Sequence, residues 1–141
     1  MGEVATARTA IEEVLTSFDA DTDPNETTTR IALIDRVLTV LGWDVAALGL
    51  ESGSGLGDFL DYALPWKGKD WLVIEAKRAG KGFAVPPPHH RSGRSIGSLI
   101  DRGNAALRDT AKQAARYCND RAIPYACITN GQQWVFFRGL S

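Results

Sequence analysis

Apolar residues recur at two different spacings along this chain, and the change of spacing divides it into elements. Val4, Ile11, Val14, Leu15 and Phe18 share one side of a helix over residues 3–18, and the stretch Asp19–Asn25 that follows is dense in turn formers. A second helix is predicted to start near Asp23–Pro24 with Pro24 at its first position. It would carry Ile34, Val37, Leu38 and Leu41 on one face and stop at Gly42. A third covers roughly Asn104–Asn119, striped by Leu107, Ala111, Ala114, Ala115 and Cys118. Five short runs read as strands: Trp43–Leu50, then Asp58–Leu64 and Asp70–Lys77 as a hairpin turning at Pro65–Lys69, then Tyr125–Thr129 and Gln133–Phe137 joined across Asn130-Gly131. Ser52–Gly57 is a flexible connection, and residues 79–95, with Pro86–Pro88, hold too many breakers for an element. Trp43, Trp71 and Trp134 fall on these strands, where core packing explains them better than base stacking. No repeat of fixed period is present. The elements predict an α/β fold, a central mixed β-sheet flanked by helices. Their order is helix, three strands, helix, two strands, with an extra N-terminal helix in front.

Composition makes this one domain: 141 residues, 44% apolar and 9% aromatic, suffice for a core. Cys118 and Cys127 match no metal or disulfide spacing, which points to a reducing compartment, although their pairing stays open. The apolar runs are short, and Met1 is followed by Gly2 and Glu3, so the expectation is a cytoplasmic protein, neither secreted nor membrane-spanning. The net charge of −1 conceals a polarised chain. Residues 1–76 carry a net −9 and residues 77–141 a net +8, with ten of the latter half's eleven basic residues between Lys77 and Arg121. Such a cluster is the footprint of a polyanion partner, and equally of two halves that neutralise one another across the fold.

Candidate chemistry lies on the apolar strand Asp70–Lys77. Strand alternation puts Trp71, Val73, Glu75 and Lys77 on one face and Leu72, Ile74 and Ala76 on the other. Charges in so apolar a strand either pair with each other at its end or serve a site. The hairpin would set Asp61 beside Glu75, so that two carboxylates and a lysine converge. Carboxylate oxygens are what Mg²⁺ takes from a protein, and a nearby lysine can offset charge developing on a phosphate.

Asp61 followed, after a hairpin, by Glu75-Ala-Lys77 resembles the PD-(D/E)xK nuclease core. The surrounding segments narrow the likeness. Asn25–Arg30 leading into Leu33–Leu38 and Leu41-Gly-Trp43, Asp61–Leu64, Val73–Lys77, Gln113–Tyr117 and Thr129-Asn-Gly131 stand in the order seen in the N-terminal nuclease domain of type I restriction enzyme R subunits and related restriction proteins. The resemblance covers about residues 24–138, and Leu60 stands where the motif's name has proline. It divides the chain into an N-terminal helix and linker, 1–23, and a nuclease-like domain, 24–141. It implies that Asp61 and Glu75 ligate Mg²⁺, with Mn²⁺ as a substitute, that Lys77 is the catalytic lysine, and that Glu26 is a further carboxylate ligand. Glu26 has competing readings: three residues after Asp23, it suits the third position of a capping box, or it merely favours the positive N-terminus of the helix.

Gln113 and Tyr117, four apart on the third helix, fall on one border of its apolar stripe with Thr110 between them in projection. They read either as a surface amide and a partly buried aromatic or, following the family's Gln-x-x-x-Tyr motif, as groups that hold DNA or the catalytic side chains. Arg78, Lys81, Arg91, Arg94, Arg102, Arg108, Lys112 and Arg116 are candidates for phosphate contacts, which position rather than specify. His89-His90 is read as solvent-exposed rather than metal-bound. A nucleotide-binding Gly-x-x-x-x-Gly-Lys-Ser/Thr motif and a local Ser-His-Asp motif are both missing. The expectation is therefore a Mg²⁺-dependent DNA endonuclease domain in a restriction or phage-defence system, part of a larger protein whose motor or specificity domains are its partners. The alternatives are a nuclease-like module that binds DNA or docks a subunit without cutting, and a purely structural docking module.

Overall fold

The computed structural model describes residues 2–18, 25–45, 62–79, 82–84 and 104–140. Helix α1 (Gly2–Ser17) comes first. Helix α2 (Glu26–Thr29) continues through a π-helical turn (Arg30–Ile34) into α3 (Asp35–Val40). Strands β1 (Tyr62–Trp66) and β2 (Lys69–Ala76), helix α4 (Ala105–Arg121) and strands β3 (Tyr125–Thr129) and β4 (Trp134–Arg138) follow. The strands form one sheet in the order β1-β2-β3-β4, antiparallel at its two outer pairs and parallel between β2 and β3. This is a mixed sheet with flanking helices, an α/β architecture, and no helix among the described residues is long and apolar enough to cross a membrane.

Alternation in the sheet produces two cores. Ala63, Val73, Ala126 and Ile128 bury one face under Leu107, Ala111, Ala114, Tyr117 and Cys118 of α4. Tyr62, Leu64, Leu72, Ile74, Ala76 and Cys127 bury the other under Ile34 and Leu38. Helix α1 packs on the second helical layer through Val14, against Leu33 and Val37. Burial pushes the Cys127 thiol up to about 12 and the Cys118 thiol up to about 11, so both behave as core residues rather than nucleophiles.

Several expectations change. Residues 43–45 are not in a strand, and the rest of the run Trp43–Leu50 lies outside the described residues. The first hairpin turns at Lys67-Gly68 alone. Both have positive φ, 52° and 81°, as a two-residue primed turn requires, so Pro65 and Trp66 stay in the strand. Pro65 is tolerated because β1 is the outer strand among the described residues and the ladder shifts between Leu64 and Pro65. Leu64 pairs with Leu72 and Pro65 with Asp70, which makes Trp71 the extra residue of a β-bulge. For that reason Trp71 is 41% exposed and stacks against Tyr125, with ring centroids 5.2 Å apart, instead of joining the core. Val4 and Leu41, placed on apolar helix faces by spacing, are also exposed.

The second helix starts later than the proline signal suggested. Asn25 caps it, its Oδ1 accepting from Thr28 N at 2.7 Å, and Glu26 is the first helical residue. A capping-box acid belongs at the third position, so that reading of Glu26 fails. The last hairpin uses four connecting residues, one more than the expected strand bounds leave: Asn130 Oδ1 accepts from Gln132 N (3.0 Å) and Gln133 N (2.8 Å), and Gly131 takes φ 87°.

Candidate active site

Glu75 and Lys77 stand where the parallel strands β2 and β3 end. Glu75 pairs with Ile128 and Ala76 with Thr129, and Lys77 N donates to Thr129 O at 2.8 Å, carrying the ladder one residue past β2. Glu75 points to the α4 face and is 2% exposed. Lys77 Nζ lies 3.7 Å from Glu75 Oε1, and its side chain retains a path to solvent. From α4, Gln113 Oε1 accepts from Lys77 Nζ at 3.5 Å, a long contact that nevertheless brings the three predicted residues into one group. A carboxylate is the kind of oxygen ligand that a hard divalent ion takes from a protein.

The remaining predicted residues divide. Asp61 and Lys81 lie outside the described residues, as do His89, His90, Arg91, Arg94 and Arg102. Glu26 is described only as the opening residue of α2. Among the described residues no group of three or more His, Cys, Asp or Glu side chains is placed to hold a metal. Tyr117 is not at a solvent border: it is 4% exposed and belongs to the core beneath α4. Ala111, Ala114 and Ala126 let the helix approach the sheet closely, which buries positions that the projection put at the edge. Arg108, Lys112 and Arg116 repeat every fourth residue and form a row along the exposed side of α4, with Arg78 exposed just after Lys77.

Two amides that sequence reasoning did not single out fix the backbone leaving the site. Gln133 Oε1 accepts from Phe83 N (2.8 Å) while its Nε2 donates to Phe83 O (2.9 Å). Asn104 Nδ2 donates to Gly82 O (2.9 Å), and its Oδ1 accepts from Ala84 N (3.2 Å) and from Leu107 N (3.0 Å), capping α4. The ring of Phe83 is buried under this clamp. Thr29 Oγ1, fully buried, accepts from Ala79 N at 2.8 Å, so α2 holds the same segment nearer Lys77. Asn104→Ala therefore removes a helix cap and two strap contacts at once, and a loss of about 1–2 kcal/mol in urea-induced unfolding is expected. A change within error would show the strap to be incidental.

Across the sheet, the Tyr62 hydroxyl donates to Asp35 Oδ1, and the Arg30 guanidinium carbon stands 5.4 Å from the Tyr62 ring centroid. Burial, then the hydrogen bond to Asp35, pushes the phenol far above its ordinary value despite the opposing Arg30 cation. A separate open groove of about 370 Å³, lined by Trp71, Leu72, Tyr125, Phe136, Phe137 and Arg138, occupies the opposite ends of the strands. It brings no acid to its walls and is not the candidate site.

No protein-family model, no curated protein and no solved structure matches this chain.

Proposed function

We propose that this chain is a Mg²⁺-dependent DNA endonuclease domain with a restriction-endonuclease-like core, as its resemblance to the nuclease domains of type I restriction enzyme R subunits implies. The observation that carries the reading is the buried Glu75 carboxylate held beside Lys77 and Gln113 at the ends of two parallel strands, which is where open α/β sheets collect their ligands. Tyr62, the first residue of β1, pairs with Ile74, so the start of β1 lies beside Glu75. Glu75, Asp61 and Glu26 would hold the ion, which when bound polarises a phosphate and supplies a nucleophilic water. Lys77, reaching from the buried strand end toward solvent, would offset charge on the phosphate as it is attacked, and Gln113 holds the lysine in that pose. Lys112, Arg116 and Arg108 lie exposed along α4 and Arg78 is exposed just after Lys77, and these four would grip the DNA backbone. Cytoplasmic residence and service in a restriction or phage-defence assembly with motor or specificity partners belong to the same proposal.

A DNA-binding module that does not cut is the second reading, favoured by Glu75 already having a cation, Lys77, within 3.7 Å. Plasmid cleavage in Mg²⁺ against EDTA, beside gel shifts in Ca²⁺, separates the two: binding without scission supports the second. In either reading, affinity should fall linearly on a log-log plot against salt and barely respond to sequence, and Lys112→Ala or Arg116→Ala should each flatten the slope by about one unit. A flat salt profile would remove DNA from the account. Gln113→Ala should slow single-turnover cleavage by roughly tenfold or more, because Lys77 loses its positioning contact. Its stability should stay within about 0.5 kcal/mol, since Gln113 is only half-buried. Wild-type cleavage by this variant would return Gln113 to the surface.

A further inference from the structure

Burial is uneven on the face of the sheet opposite α4. Leu72 pairs with Tyr125, and Tyr125 with Arg138, so these three form one row across β2, β3 and β4, and Phe136 shares their face two residues before Arg138. Ile34 and Leu38 pack on this face against Tyr62, Leu64 and Ile74, whereas Tyr125 is 41% and Phe136 63% exposed, with Arg138 exposed beside them. The bulge adds Trp71, whose ring meets that of Tyr125 at a tilt of 60°, so the two do not cover one another face to face. With Trp66, exposed at the end of β1, these are the exposed aromatic residues among those described, and all stand on one sheet. Their surroundings are basic. Arg138 lines the groove and makes no ion pair with a described residue, and Lys67 and Lys69 are exposed between Trp66 and Trp71 against a single acid, Asp70.

Open aromatic rings beside cations suit a ligand that carries flat π surfaces and negative charge together. Duplex DNA keeps its bases in its own stack and has no use for the rings; an unpaired strand offers both bases and phosphates. Neighbouring strands of a sheet lie about 4.8 Å apart, so rings on β2, β3 and β4 give successive stacking positions to bases laid across them. Outside the core, Trp71 is free for this use, and the groove of about 370 Å³ that it lines has room for a base. We propose that this part of the sheet is a binding platform for single-stranded nucleic acid, with Trp71, Tyr125 and Phe136 stacking on bases while Arg138, Lys67 and Lys69 hold the phosphates. The groove occupies the strand ends remote from Glu75 and does not rest on the nuclease reading. A chain that never cut DNA would still carry it.

Fluorescence anisotropy of labelled single strands of about ten nucleotides, bound to the full chain in EDTA, tests this. The strands are oligo-dT, oligo-rU and an abasic strand with the same number of phosphates. The wild type should bind a base-bearing strand about tenfold or more tightly than the abasic one, and oligo-dT against oligo-rU tells which sugar it takes. Trp71→Ala and Phe136→Ala should each weaken the base-bearing strand by about tenfold and leave abasic affinity unchanged, while Trp71→Phe, which keeps a ring, retains most of the binding. Arg138→Gln should weaken both kinds of strand alike and flatten the salt slope by about 0.7. Phe136 and Arg138 are exposed, so their variants carry the test if Trp71→Ala does not fold. Equal wild-type affinity for base-bearing and abasic strands would overturn the proposal, as would wild-type binding by both Trp71→Ala and Phe136→Ala. A wild type that sediments as a dimer and becomes monomeric in Phe136→Ala would assign the rings to an interface between copies and overturn it too. Failure to cut plasmid bears on the nuclease reading alone.

Discussion

Replacing Glu75 by glutamine is expected to lower single-turnover DNA cleavage by on the order of a thousandfold or more while leaving the melting temperature unchanged or raised. The two halves of this expectation have one cause. Glu75 is 2% exposed and its cation, Lys77, is 3.7 Å away, too far for a close charge-assisted hydrogen bond. Taking a carboxylate out of water carries a desolvation cost, and a neutral amide of the same shape relieves it. Lys77 is not stranded by the change, because its side chain reaches water. A residue retained for stability would show the reverse, with lower melting temperature and intact cleavage. Calorimetry beside a cleavage time course distinguishes them.

The largest stability effect is expected at Gly131. Its φ of 87° is one that residues with a side chain rarely adopt, and a Cβ there would come within 2.2 Å of Leu33 Cδ2 and 2.8 Å of Leu33 Cγ. Leu33 is fully buried between α1 and the sheet, so it cannot swing aside. Gly131→Ala should cost about 2–4 kcal/mol, combining backbone strain with overpacking, and lower the melting temperature by roughly 10 °C. Adding Leu33→Ala should recover part of the loss, giving a non-additive pair. Unchanged melting of the single variant would mean that the hairpin and the π turn do not touch as described.

The sequence disclosed the parts of the fold that depend on neighbours in the chain. Helix α4 was legible from its stripe and its Asn104 boundary, and the buried strand β2 from its run of apolar residues. The Asn130-Gly131 pair marked a turn, but Asn130 acts through its side chain on two later amides, which lengthens the connection. What stayed hidden depends on partners far along the chain. The bulge that exposes Trp71 is a property of the β1–β2 register, not of either strand alone. Gln133 clamps a residue 50 positions earlier, and Asp35 accepts from one 27 positions later. Tyr117 was assigned to the border because a helical projection carries no information on how near the sheet lies. In the site, strand alternation put Glu75 and Lys77 on one face, whereas the helix projection left Gln113 at a border and only the family resemblance set it beside them. Glu26 changed meaning only when Asn25 proved to be the cap.

The proposed metal-dependent phosphodiesterase site is the group Glu75, Lys77 and Gln113. It is tested most directly by the rate of strand scission of supercoiled plasmid under enzyme excess as Mg²⁺ is titrated from zero, with Glu75→Gln run in parallel. The account predicts scission that rises to saturation with Mg²⁺, vanishes in EDTA and is absent in the variant. Plasmid left intact at every Mg²⁺ concentration while gel shifts show it bound, or scission by Glu75→Gln at the wild-type rate, would contradict it.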